Sequence, residues 1–473
     1  MDTKRRKWSR VRPALLAVAG MVGVAGCDVG LLDVDDSAII VPSDLDAAGP
    51  SAIPTLTNGV VGAYHEAVDG IVRYSGLLAD EMILAGTFPS RTQVDNRRIL
   101  PTNNQLGEEV YIPLHQARFQ ADTTAHQFEQ KLEDPEFSDA IPELRRGIAM
   151  ARLYGGFTRL WLGELYCWSI LTGMFPETAP VLPDQRIAEA LEFLEAAEAE
   201  AEAIGLVDIR LAAVVGQARA NLWLGNFERA AELAAAVPRG WRYRAEYSAN
   251  NPDQYNEVYA FTWGDTELIR WTVGDGSIPQ RGSEQWPYLG EFIGLNLITY
   301  RPPGFSAFVG AIPVARQNLY HQPQSDILVA SWTEAALILA EVAVRDMETS
   351  VAQAILNDLR SDYSGWAALE WGITPPDPEN ELAQIELTGD ITLDLGAVVA
   401  ERARELWLTG DRHVTGRRLR LDPAVDIDIF PVKVQVGGGD DIAFPIEGRE
   451  LDNNPNLASD QACPAGQAPG AWR

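Results

Sequence analysis

Apolar positions recur every three to four residues along most of this chain, so the period is helical from Ile53 to the 230s and again from Asp326 to Arg420. Leu56 to Val68, Glu108 to Leu132 and Pro142 to Ile170 each read as a helix, with Pro142 placed early, where its missing N–H is harmless. Asp184 to Ile204 opens on an N-cap aspartate and turns Ile187, Leu191, Leu194, Ala201 and Ile204 away from Glu189, Glu192, Glu195 and Glu202. Leu206 to Leu224 and Phe227 to Val237 close the run. Small residues sit beside wedged aromatics, Gly155, Gly156 and Gly163 around Trp161-Leu162 and Ala218, Gly225 and Ala230 around Trp223-Leu224. Stacked helix pairs of the tetratricopeptide (TPR) kind need such close crossings. The pattern predicts an all-α fold, a degenerate TPR-like helical-pair solenoid with loop-rich insertions.

Two stretches depart from a plain amphipathic pattern. In Leu393 to Arg420 an apolar stripe (Leu395, Val399, Ala403, Leu406) runs up to a predicted stop at Gly410. It is crowded by Glu401, Arg402, Arg404 and Glu405, then by Asp411, Arg412, His413, Arg417 and Arg418. So many charges beside an apolar face either lie in water or pair with one another. Between Trp241 and Tyr300 helical period disappears and aromatics make up 20% of residues against 8% for the chain. A long loop, Ser361 to Asp390, and a glycine-rich tail complete the chain.

Composition narrows the function classes. The chain has 473 residues, 46% of them hydrophobic, and a formal charge of −29. The first 26 residues carry six bases and one acid, so the remainder stands at −29 − 5 = −34. Such a surface repels phosphate backbones and argues against a nucleic-acid partner. Lys4 to Arg12 is a basic n-region, Pro13 to Val24 a short apolar run, and Val24-Ala25-Gly26-Cys27 a cleavage site before a cysteine. That is a bacterial lipoprotein signal, and it predicts a leader over 1–26 and acylation at Cys27 as the membrane anchor. The apolar run is too short to span a bilayer. Residues 27–50 read as an acidic tether and 51–473 as a single domain, with an aromatic loop region at 241–320.

The order of short motifs carries a resemblance. Glu401-Arg402-Ala403-Arg404-Glu405-Leu406-Trp407-Leu408-Thr409-Gly410-Asp411-Arg412 resembles the ERxREL-(aromatic)-x-x-G-x-R signature of the SusD/RagB family, surface lipoproteins that help outer-membrane transporters import nutrients. Asp326 to Val344 looks like the family's EvyLixAEa helix, with Glu334 and Glu341 at its acidic positions. Asn357-Asp358-Leu359-Arg360 looks like its lNxlR, and Phe444-Pro445-Ile446 with Asn454-Pro455-Asn456-Leu457 like its closing PIPxxE and NPNL. The resemblance implies a SusD-like fold, an outer-membrane, cell-surface location and a TonB-dependent SusC-like transporter as partner. Asp80-Glu81 matches an acidic pair that follows the family's first helix and reads as structural.

Candidate chemistry is that of binding. Sugars stack C–H faces on aromatic rings and need planar donors and acceptors at their rims. The 241–300 region offers both, and Trp263, Trp271, Trp286 and Tyr288 are the candidate ligand residues there. Asn96 and Arg97 are added because the resemblance places a binding loop after Asp80. Glu334 and Glu341, seven apart on one face, are expected to pair with Arg402 and Arg404 in a structural ion network. No G-x-S-x-G, H-E-x-x-H, Walker or G-x-G-x-x-G sequence occurs, and the histidines lack metal-ligand spacing. The expectation is a non-enzymatic lipoprotein without metal or cofactor that holds an oligosaccharide, or a peptide, above a transporter. A TPR-like protein-binding scaffold and a surface glycoside hydrolase are the alternatives. Cys167 and Cys463 remain after Cys27, and an oxidising compartment permits a bridge between them.

Overall fold

The protein is described here from a computed structural model covering residues 48–84, 88–171, 177, 179–263, 271–273, 298–300, 315–361, 382–425, 427–430 and 439–457, with the backbone alone at 271–273, 299 and 300. The leader, Cys27 and most of the tether lie outside these residues, but the tether's last residues enter a 3-10 turn, Gly49–Ala52.

Helix α1 (Ile53–Leu78) extends well beyond the predicted Val68. Gly70, Ser75 and Gly76 read as breakers, yet Tyr74, Leu77 and Leu78 are fully buried, and that packing outweighs the propensity cost. Gly70 is needed for space, since a Cβ there would lie 2.0 Å from the Glu109 carbonyl oxygen. Strand β1 (Met82–Leu84) and helix α2 (Pro89–Asp95) follow. A π-turn, Gly107–Tyr111, leads into α3 (Ile112–Lys131), and α4 (Ile141–Leu165), α5 (Pro183–Ile204), α6 (Val207–Trp223) and α7 (Phe227–Ala235) stack in sequence, each against its predecessor. The small residues work as expected. A Cβ at Gly156 would meet Leu194 at 2.6 Å and one at Gly163 would meet Ile187 at 2.5 Å. The N-cap of α5 is Leu182, with Pro183 in the first turn. Asp184 instead accepts the Trp223 indole N–H at 3.0 Å.

The aromatic region contributes β2 (Arg242–Ala245), α8 (Glu257–Trp263), β3 (Trp271–Val273), β4 (Ile298–Tyr300) and β5 (Ala315–Gln317). Strand β6 (Ile327–Ser331) pairs antiparallel with β2, as β1 does with β3 and β4 with β5. The predicted helix at Asp326 to Val344 is therefore a strand followed by α9 (Trp332–Arg345), with Ser331 capping α9 by accepting the Glu334 N–H at 3.1 Å. A buried apolar run has no period that separates strand from helix. Helices α10 (Thr349–Ser361) and α11 (Ile391–Glu405) pack on α9 around Leu337, Leu356 and Leu395.

Helix α11 ends at Glu405, not at Gly410. Leu408 and Gly410 take left-handed backbone at φ 56° and 87°, and Gly410 opens α12 (Asp411–Leu421). The charges of this segment are buried and paired. Arg412 grips Asp80 with two bonds of 2.8 and 2.7 Å, and Arg418 grips Glu341 at 2.7 and 2.6 Å. Arg417 donates to the carbonyls of Gly163, Glu164 and Tyr166, capping the end of α4; its burial lowers the guanidinium to about 9. His413 lies between Ser75 Oγ and the Ile442 carbonyl. A last short helix, α13 (Gly448–Asn453), ends the described chain.

The predicted pairs do not form: among the described residues neither Glu334 nor Glu341 pairs with Arg402 or Arg404, and the buried Glu334 side chain makes no ion pair. Glu341 is held by Arg418 and by Arg345, four residues along its own helix, not by Arg402 or Arg404. Arg402 turns to Asp411 and Thr415, and Arg404 lies 3.2 Å from Glu401, which Arg360 also holds at 2.9 Å. Sequence spacing placed the acids on one face but could not show that Glu341 takes its partner from α12, although α11 also packs on α9.

Candidate functional site

A cavity of about 760 Å³ opens between α1, the π-turn before α3, and the loop joining β2 to α8. Helix α1 contributes His65, Glu66, Asp69 and Arg73 at the three-to-four spacing that puts them on one face. The π-turn contributes Glu108 and Glu109, brought close by Gly70. The loop contributes Glu246, Tyr247, Asn251, Asp253, Gln254 and Tyr255, and α8 adds Glu257.

Arg73 organises the floor. Its guanidinium stacks over Phe261 at 4.2 Å, donates to Glu109 at 2.8 Å, pairs with Glu257 and lies 3.9 Å from Asp69. Arg91 meets the other oxygen of Glu109 at 2.8 Å, and Tyr74 donates to the oxygen shared with Arg73. Against the upward push of burial, Arg73 and Arg91 hold the Glu109 carboxyl below the usual range. Asp69 behaves oppositely, because burial lifts it well above that range in spite of Arg73. Partial burial and then the neighbouring Glu257 also lift Glu66.

The wall is set by α1 and the loop together. Tyr247 donates its hydroxyl to the His65 carbonyl at 2.8 Å, and the His65 ring lies within hydrogen-bonding distance of the Glu246 backbone. His65 is 9% exposed, burial lowers it to about 4, and its Nε2 has no hydrogen-bond partner. Asn251, Asp253 and Gln254 are exposed at the rim, and Tyr255 is half-buried. The arrangement provides carboxylates and amides as acceptors and donors beside two tyrosines, the equipment of a hydroxyl-rich ligand site.

Of the candidate residues from sequence, the described side chains of Trp263, Asn96 and Arg97 are not among those lining this cleft. Trp263 ends α8, half-buried; its indole N–H donates to the Gln317 carbonyl at 2.5 Å and the Arg316 guanidinium lies 4.7 Å over its ring. The side chain of Trp271, and all of Trp286 and Tyr288, lie outside the described residues. Asn96 and Arg97 follow α2 and hold the C-terminal segment. The Asn96 carbonyl accepts the Gly439 N–H at 2.7 Å, and buried Arg97, at φ 56°, donates to the Asp441 carbonyl at 3.0 Å. Asp80 and Glu81 are structural, as expected: Asp80 holds Arg412 and Glu81 accepts the Leu408 N–H at 2.9 Å. The acids of α1 gave little signal in sequence: Glu66 alone reads as a solvated helix position, and Asp69, with Arg73, lies beyond Val68, where the predicted helix stops. Tyr247 and Tyr255 carried a signal, being among the aromatics of the enriched region. Among the described residues no group of three or more His, Cys, Asp and Glu is arranged to hold a metal, and no helix is long and apolar enough to cross a membrane.

No family model and no curated protein matches the chain. Solved structures do. A SusD superfamily protein from Bacteroides thetaiotaomicron superposes with a TM-score of 0.64 at 14% identity, over 88% of this chain and 99% of the other. Surface glycan-binding protein A from Bacteroides uniformis gives 0.56 at 12% identity, over 86% and 98%. A SusD-like carbohydrate binding protein from Bacteroides vulgatus gives 0.54 at 14%, over 78% and 83%. The fold of this chain is the SusD-like fold.

Proposed function

We propose that this SusD-like chain is a non-catalytic surface lipoprotein that binds an oligosaccharide in the cleft between α1 and the 246–257 loop. It would hand the sugar to a TonB-dependent outer-membrane transporter. The observation that carries the reading is the cleft itself, a formed cavity in which Tyr247 and Tyr255 stand beside carboxylates and amides. Structural neighbours described as glycan-binding and carbohydrate-binding support it. The lipoprotein signal ending at Cys27 supports the anchor, and the motif resemblance supports the transporter.

A glycan array probed with the protein tests the binding step. Binding to one saccharide class that Tyr255→Ala reduces by about fivefold or more, the value of one stacking contact, is the expected result. Binding that persists unchanged in that variant moves the site elsewhere. Co-purification of a transporter with the tagged, membrane-anchored protein tests the partner.

A further inference from the structure

Charge sets the ligand class of the cleft more narrowly than shape does. Building on the glycan reading above, we propose that the saccharide bound here carries protonated amines, as an oligomer of deacetylated hexosamine does. Among the described residues seven carboxyl groups line the cavity, and Arg73 is the one arginine or lysine there. Arg73 is already committed to Glu109 and Glu257, with Asp69 close by. Glu66, Glu246 and Asp253 are exposed, line the cavity, and make no ion pair with any described residue. Three carboxylates in one concave site thus meet no cation among the described residues, and a low-dielectric wall of buried groups strengthens their field. The wall behind them is polar as well: His65, nine-tenths buried, lines the cavity, and its buried Nε2 has no hydrogen-bond partner among the described residues. A neutral glucan would meet the carboxylates with hydroxyls alone. An anionic glycan would be repelled. A polyamine sugar keeps the hydroxyl contacts and adds N⁺–H···O⁻ bonds, which are the stronger kind. Asn251, Gln254 and the tyrosines favour a saccharide over a basic peptide, since planar amides and rings suit hydroxyl rims and sugar faces.

The test is calorimetric titration of the mature, detergent-solubilised protein with hexamers of β-1,4-glucosamine, N-acetylglucosamine and glucose, and with hexalysine. The glucosamine hexamer should bind about tenfold tighter than the other two sugars, the gain expected of a few partly exposed charge pairs, and its affinity should fall as salt rises. Combining Glu66→Gln, Glu246→Gln and Asp253→Asn, all at exposed side chains, should erase that preference with the melting temperature unchanged. Exposed Glu195→Gln, on α5, should have no effect. Equal affinity for the three sugars overturns the charge inference and leaves the glycan reading standing. Hexalysine binding as tightly as the glucosamine hexamer overturns the inference in favour of a basic peptide. Failure of all three sugars overturns both.

Discussion

Glu81 is a carboxyl with no room for a charge. It is fully buried, one oxygen accepts the Leu408 N–H, and the other has no partner; burial pushes it up to about 8. A carboxyl raised in the fold favours the native state while it is protonated. That contribution is whole below the ordinary carboxylate range and is lost as pH rises toward 8. Glu81→Gln keeps the acceptor for Leu408 and removes the titration. The variant should therefore be the more stable protein at pH 9, by on the order of 3 kcal/mol, and no more stable at pH 4. Thermal melts at the two pH values check this, and a wild-type advantage at pH 9 would sink the protonated-acid account. Trp407 is the matching apolar case. It is fully buried beside this contact, and Trp407→Ala should cost about 3–5 kcal/mol in denaturant titration.

Helices α9 and α12 are joined through Glu341. Burial would raise its carboxyl, but Arg418, with Arg345 behind it, holds it down to about 2. Here the sign is reversed: the stabilisation is present above the ordinary carboxylate range and is lost as pH falls toward 2. Arg418→Met leaves a buried acid short of its main partner and should destabilise by about 3–5 kcal/mol. Pairing it with Glu341→Met should recover much of the loss, and a double-mutant cycle measures how much. At this scale most helices were legible, because their stripes repeat over several turns. Ile327–Ser331 was not, since four apolar residues in a row, three of them buried, carry no period. Nor was the end of α1, where Gly70 answers to the backbone of Glu109, far off in sequence. The cleft was illegible for the same reason. Its acids come from three separated segments, each of which alone reads as a solvated helix face or loop.

The proposed lipid anchor at Cys27 acts on the whole molecule. Cys27→Ala should release the protein from the membrane or leave it uncleaved, checked by fractionation and mass spectrometry. Cys167 is fully buried and disulfide-bonded, and the chain's other cysteines, Cys27 and Cys463, lie outside the described residues. If Cys27 is acylated as proposed, Cys463 is the remaining mate, and non-reducing peptide mapping should recover a Cys167–Cys463 pair. A Cys27–Cys167 pair would instead refute the lipid anchor. The contacts of α12 carry one more consequence. Arg412 meets Asp80 across 332 residues, Leu408 meets Glu81 across 327, and His413 meets Ser75 across 338. The end of α1 is thus completed by residues made long after it. Loops of that length close slowly, and the first helix has no finished surroundings until they do. Nascent chains halted before α12 should stay protease-sensitive throughout, and the full chain should become resistant in a single late step, a schedule that would suit the unfolded export that the proposed lipoprotein signal implies.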